Sequence, residues 1–155
     1  MDLTRSFTPE QYARGLESWH WQPIRDKAPR FTSLFGDVFF EAADGGWWVL
    51  DMTEGRLTRR WDNSAAVAAA LATDGGQDEH LLGGLAMAAH RRGLELAADQ
   101  VYVFVPPPII GGGFAVENIR IFDFVVAAHL AGQLHHQLRD KPPGWTTTGF
   151  TLAET

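Results

Sequence analysis

The chain has 155 residues and a formal net charge of −6, from 19 acidic and 13 basic side chains. Hydrophobic residues make up 45% and charged residues 21%, the balance of a globular protein with a core to bury rather than of a disordered one. The charge is spread evenly along the chain, with no Lys/Arg cluster able to follow a phosphate backbone. This argues against direct nucleic-acid binding and makes a basic protein partner easier to accommodate than an acidic one.

The length fits one domain over residues 1–155. Cysteine is absent, which removes disulfides, thiolate nucleophiles, iron–sulfur clusters and thiolate zinc sites, and fits a reducing compartment. The first residues, Met1 to Phe7, lack the apolar run of a signal peptide. No apolar stretch reaches the roughly 20 residues that a bilayer span needs. The expected location is the cytoplasm.

Thr8, Pro9 and Gln11 read as a capping box opening a short helix, with Tyr12, Leu16 and Trp19 at helical spacing. Pro23 and Pro29 mark a connecting loop. From Phe35 the period becomes that of a sheet. Residues 37–41, 47–51 and 56–61 read as three antiparallel strands joined by turns at 43–46 and 54–55. Asp62-Asn63-Ser64 caps a helix over 65–71, and residues 73–76 end it. A second helix is expected over 78–92, although Gly83-Gly84 interrupts its pattern in a way that lets another element come close. Residues 100–105 read as a strand ended by Pro106-Pro107-Pro108, and 115–121 as another. A long helix starts at Asp123 and stops at Lys141-Pro142-Pro143-Gly144. Residues 145–152 form a short tail in which a last strand stays open. The fold class is α+β, an antiparallel sheet covered by helices.

Five of the six tryptophans, Trp19, Trp21, Trp47, Trp48 and Trp61, lie in the first 61 residues. Tryptophan supplies large amphipathic area in cores and in binding hot spots alike. Trp47 and Trp48 are neighbours in a strand and must face opposite ways. On the long helix, His129, Gln133, His136 and Gln137 fall on one strip at 100° per residue. That strip reads as a hydrogen-bond network anchoring the loop after Pro106, or as a partner-contact face. It lacks the HExxH spacing and a third ligand, so no metal is expected. Gly111-Gly112-Gly113 has neither the spacing nor the lysine of a phosphate loop, and no serine sits in a nucleophile elbow. Asp37 and Asp51 stand at the ends of paired strands, where they can meet, but nothing nearby completes an acid–base site.

The run Phe35-Gly36-Asp37-Val38-Phe39-Phe40, followed by Asp44-Gly45-Gly46-Trp47-Trp48-Val49-Leu50-Asp51 and Glu54-Gly55, resembles the opening of a known bacterial family. That family, first catalogued as a domain of unknown function, is associated with the C-terminal domain of type VI secretion immunity proteins. Thr73 to Leu82, Arg92-Gly93-Leu94, Gln100 to Phe104, Pro107 to Gly112, and Gly132 to Gln137 with Pro142-Pro143-Gly144 resemble its later landmarks. The likeness spans roughly residues 19–150. It implies a protein that binds and neutralises a toxin, often a nuclease, without chemistry of its own. It transfers no catalytic residue and no cofactor.

The resulting expectation is a non-enzymatic protein-binding module. Its contact residues would be Trp19, Trp21, Asp37, Asp44, Trp47, Trp48 and Glu54, with aromatic anchors and carboxylates opposing a basic cleft. Two other readings stay open. One is a small-molecule site or enzyme built on His129, Gln133 and His136. The other is a self-associating module, such as a homodimer.

Overall fold

A computed structural model describes residues 1–140. The expectations for residues 141–144 and 145–152 lie outside the described residues. Helix α1, Pro9–Leu16, opens with the capping box read in the sequence: the Thr8 hydroxyl accepts from the Gln11 N–H at 3.2 Å, and the Thr8 N–H donates to Gln11 Oε1 at 2.9 Å. One 3₁₀ turn, Glu17–Trp19, continues it and delivers Trp19 inward.

The expected three-stranded meander has five strands: β1 Thr4–Arg5, β2 Lys27–Ser33, β3 Val38–Ala42, β4 Trp47–Asp51 and β5 Arg56–Trp61, paired antiparallel in chain order. Strand β2 falls where the sequence pointed to a loop, because Pro29 argues against a central strand. The structure resolves the conflict geometrically. Strand β1 pairs only with Thr32 and Ser33, so β2 is an edge at Pro29, and its register shifts between Pro29 and Phe31. A proline lacking its N–H is tolerated at such an edge bulge.

Both faces of the sheet are covered. Val38, Phe40, Leu50 and Met52 pack with Tyr12, Leu16, Trp19, Phe124 and Ala128 in one cluster. Phe39, Trp47 and Val49 pack with Val67 and Leu81 in another. That is why the middle strands read as continuous apolar runs rather than alternating ones.

Helix α2, Ser64–Leu71, is capped by Asn63, whose Oδ1 accepts from the Ala66 N–H at 2.8 Å. Thr73 does not merely end it. Its hydroxyl accepts from the Gly76 N–H at 3.0 Å and caps a new helix, α3, Asp74–Leu81. The helix expected over 78–92 is therefore split: α3 stops at Leu82, which takes left-handed φ 52°, and α4 runs Gly83–Arg91. The glycines read as an approach point act as one. A Cβ on Gly83 would sit 3.1 Å from Leu3 Cδ1. Asn63→Ala and Thr73→Ala should each cost about 1 kcal/mol, measured by urea unfolding, because each leaves a helix N-terminal N–H without its acceptor.

Strands β6, Gln100–Phe104, and β7, Ile119–Asp123, form a separate antiparallel pair, with β7 starting four residues later than expected because Val116–Asn118 makes a 3₁₀ turn. The Tyr102 N–H donates to the Leu34 carbonyl at 2.7 Å, and Arg5 Nη1 donates to the carbonyls of Ala97 and Gln100 at 2.7 and 2.9 Å. These bonds tie the pair to the end of the meander. Asp123 caps the long helix α5, Phe124–Leu138, by accepting from the Val125 N–H at 3.1 Å. The architecture is α+β.

Candidate functional site

Helix α5 presents two different faces, and the sequence candidates divide between them. The strip of His129, Gln133 and His136 turns toward the segment after α1. Ser18 Oγ donates to the His129 carbonyl at 2.8 Å, so it is the backbone of His129 that is used. The Trp19 indole N–H donates to the Ala128 carbonyl at 2.9 Å. The exposed His136 ring stacks on Trp21 with centroids 5.4 Å apart and planes 8° apart, and the Arg139 guanidinium lies 5.9 Å from the Trp21 ring. Gln133 is half-buried, and Gln137 is exposed on the last turn. The contacts of His129 and His136 thus run to Ser18 and Trp21 rather than to the loop after Pro106. That loop lies beside the other face of α5.

Burial corrects three of the expected contact residues. Trp19 is 0% exposed, Trp47 8% and Asp37 9%. Trp19 sits between the sheet and α5, and Trp47 packs under α2 with its indole N–H donating to Ser64 Oγ at 3.2 Å. Trp48 faces the opposite side, half-buried, with Lys27 Nζ 4.5 Å above its ring. Asp44 is exposed, but it accepts from Arg59 Nη1 at 2.7 Å and caps its own turn through the Gly46 N–H at 2.9 Å. The Arg59 guanidinium holds the Asp44 carboxyl below its ordinary range. Glu54 is exposed and makes no ion pair among the described residues.

The turn carrying Glu54 joins the Trp21 face. Asp51 Oδ1 accepts from the Thr53 N–H, the Thr53 hydroxyl and the Glu54 N–H at 2.9, 2.8 and 3.0 Å, which fixes the turn. Gln22 Nε2 then donates to the Gly55 carbonyl at 3.2 Å. Gly55 has φ +73°, and a Cβ there would run into the His135 ring, so both its conformation and its contact require glycine. Of the predicted residues, the fold thus gathers Trp21, Glu54 and His136 on one side and leaves Asp44 and Trp48 elsewhere on the sheet.

His135 was missed in the sequence. It is buried, and its Nε2–H donates to the Met52 carbonyl at 2.9 Å. The N–H of the same residue, Met52, donates to Asp37 Oδ1 at 2.8 Å, and Ser33 Oγ donates to Asp37 Oδ2 at 3.3 Å. The Ser33 oxygen is itself occupied, accepting from the Phe35 and Asp37 N–H groups at 3.2 Å each. Burial, and next the Asp51 carboxylate, push Asp37 up to about 7. Burial likewise holds His135 below the usual imidazole range. The two titratable groups are joined through Met52 rather than to each other. A signal for His135 existed: it continues the Phe124, Ala128, Ala131 stripe at helical spacing.

His135 also borders a cavity of about 230 Å³ between α5, β6 and the turn after β4, lined by Met52, Thr53, Val103, Phe104, Leu130 and Leu134 among others. The cavity takes in none of His129, Gln133, His136 or Gln137. On that strip, which one alternative reading made a pocket, the His129 carbonyl and the His136 ring meet Ser18 and Trp21. Among the described residues, no group of three or more His, Cys, Asp or Glu side chains is placed to hold a metal ion, and no helix is long and apolar enough to cross a membrane.

The family model described as "T6SS immunity protein Tdi1, C-terminal" matches residues 63–135, from the cap of α2 to His135. The resemblance seen in the sequence is borne out over that segment, while its opening landmarks at 35–55 lie outside the match. No curated protein matches. The crystal structure of Atu4351 from Agrobacterium tumefaciens shares the fold, with a TM-score of 0.56 at 16% identity, over 84% of this chain and 66% of that one. This chain therefore spans just under two thirds of that protein's length.

Proposed function

Because residues 63–135 match the Tdi1 C-terminal immunity domain, we propose that this chain is a non-enzymatic immunity-type protein that binds and neutralises a bacterial toxin. That match is the observation that carries the reading. The contact face is the one where Trp21, His136, Arg139 and the Glu54 turn come together. It offers a half-buried aromatic anchor stacked on a second ring, beside a carboxylate with no ion pair among the described residues. Anchors of this kind concentrate binding energy, and rim carboxylates steer a basic partner.

The net charge of −6 favours a basic toxin domain, and a nuclease, which must hold a phosphate backbone, is the toxin class that fits. Such a protein acts in the compartment its toxin enters, which for a nuclease is the cytoplasm. Trp21→Ala should weaken toxin binding by about 2 kcal/mol or more, mainly through faster dissociation. Glu54→Lys should slow association and flatten its salt dependence. Surface plasmon resonance against the purified toxin domain reads both. Unchanged kinetics in the two variants would rule out this face.

A further inference from the structure

We propose that the cavity between α5, β6 and the Thr53 turn is a binding site for an uncharged, ring-sized apolar molecule carrying one N–H or O–H donor. The inference does not depend on the toxin reading. It concerns the opposite face of α5 from Trp21 and His136.

The volume comes first. At about 230 Å³, the space exceeds the roughly 150 Å³ at which an apolar cavity in a protein already stays dry and takes up benzene. The lining comes next. Phe104, Phe122, Leu130 and Leu134 supply apolar walls, and among the described residues no Lys, Arg, Asp or Glu lines the cavity. A carboxylate or an ammonium would therefore lose its hydration without meeting a counter-charge, and only a neutral molecule enters at low cost.

The polar handle sets the hydrogen-bond sense. The Thr53 hydroxyl already donates to Asp51 Oδ1 at 2.8 Å, and His135 Nε2–H already donates to the Met52 carbonyl at 2.9 Å. Both protons are committed, so Thr53 offers the ligand acceptor lone pairs alone. A ring bearing an N–H or O–H satisfies it, and a ketone or ether does not.

Exposed apolar side chains adjoin the lining. Phe114, 49% exposed, packs edge-on against Phe104 at 5.1 Å, and Val105 and Ile109, 38% and 47% exposed, flank the two cavity-lining prolines Pro107 and Pro108. This run holds three of the five large hydrophobic side chains exposed among the described residues. An apolar interior with few polar groups, beside exposed apolar side chains, is the usual form of a small-molecule site.

The test uses the full chain and five probes: indole, 1-methylindole, benzoate, benzylamine and cyclohexanone. Two-dimensional ¹⁵N–¹H spectra follow each titration. Indole should give saturable shifts at the amides of Thr53, Val103, Phe104 and Leu134, with 1-methylindole several-fold weaker for want of the donor. Benzoate, benzylamine and cyclohexanone should give no saturable shift. Ala131→Phe, which fills the cavity from α5, should weaken indole by at least about tenfold, and Ala131→Leu should do so partially. Melting temperatures of both variants establish that the fold is retained. Absence of saturable indole shifts in the wild-type chain would overturn the proposal, as would equal affinity for benzoate, or unchanged affinity in a folded Ala131→Phe variant.

Discussion

Gly132→Ala is expected to lower the melting temperature by roughly 4–8 °C, although glycine-to-alanine inside a helix normally stabilises by about 1 kcal/mol. The reversal comes from where α5 crosses the turn after α1. A Cβ at position 132 would collide with Ser18 Oγ and come within 2.9 Å of the Ser18 carbonyl carbon. The hydroxyl can rotate away, but the backbone cannot. The turn would have to retreat, stretching the bonds from Ser18 Oγ to the His129 carbonyl and from the Trp19 indole to the Ala128 carbonyl. Overpacking of this sort against fixed backbone costs about 3 kcal/mol, which outweighs the gain in propensity. Gly75→Ala is the control. It lies in α3 with nothing within 4 Å of the new Cβ, so it should stabilise by up to about 1 kcal/mol. Thermal unfolding of the two variants decides the matter. A Gly132→Ala protein as stable as the parent would mean that α5 does not approach Ser18 closely.

Asp37→Asn is expected to change the pH dependence of stability rather than stability at one pH. Asp37 is raised in the folded state to about 7 from an ordinary 3.8, first by burial and then by Asp51, against the opposing pull of Met52, Arg60 and Ser33. The folded chain thus holds this proton more tightly than the unfolded chain. On its account stability is highest below about pH 4 and falls as pH rises toward 7, by roughly 4 kcal/mol at about 1.4 kcal/mol per unit. His135 runs the other way. Its folded value lies below the usual 6.5, so its contribution is complete above that pH and is lost as pH falls through the lower folded value. Asparagine keeps Oδ1 for the Met52 N–H and removes the titration. Its amide faces a Ser33 oxygen that already accepts two bonds, a cost that does not vary with pH. Urea unfolding from pH 4 to 8 should show the variant gaining on the parent by several kcal/mol as pH rises, with the remaining slope carrying the sign of His135. Parallel curves would show that Asp37 does not titrate in this range.

How much of this was legible in the sequence follows from the range of the interactions involved. Local chemistry was readable. The Thr8–Gln11 box, the Asn63 and Asp123 caps, the strands at 38–42 and 47–51 and the opposite facing of Trp47 and Trp48 each depend on a few neighbouring residues. Strand β2 was hidden because Pro29 is acceptable only if β1 stops short of it, a fact of pairing across the sheet. The break at Leu82 was signalled only indirectly, by the glycine pair that follows it. The roles of the charged groups were the least legible. Asp37 looks like any turn carboxylate, and only tertiary packing puts it inside, behind Met52 and near Asp51. Likewise, the doublet His135-His136 has one ring buried against Met52 and the other stacked in the open on Trp21, and the rotation of α5 that decides between them is set by Gly132 against Ser18 and by Ala128 against Gly15. The sequence strip placed His136 in a hydrogen-bond network or on a partner-contact face, whereas the buried polar centre formed on the adjacent residue.

The most direct measurement is capture of the partner by the tagged full chain from its source organism's lysate, quantified by mass spectrometry beside Trp21→Ala and Glu54→Lys baits. The expected result is one basic protein recovered at near 1:1 ratio by the parent, strongly depleted on both variants, whose toxicity to cells is suppressed by co-expression of the parent chain. Recovery of the bait alone, or a captured protein whose toxicity the chain does not suppress, would contradict an immunity function.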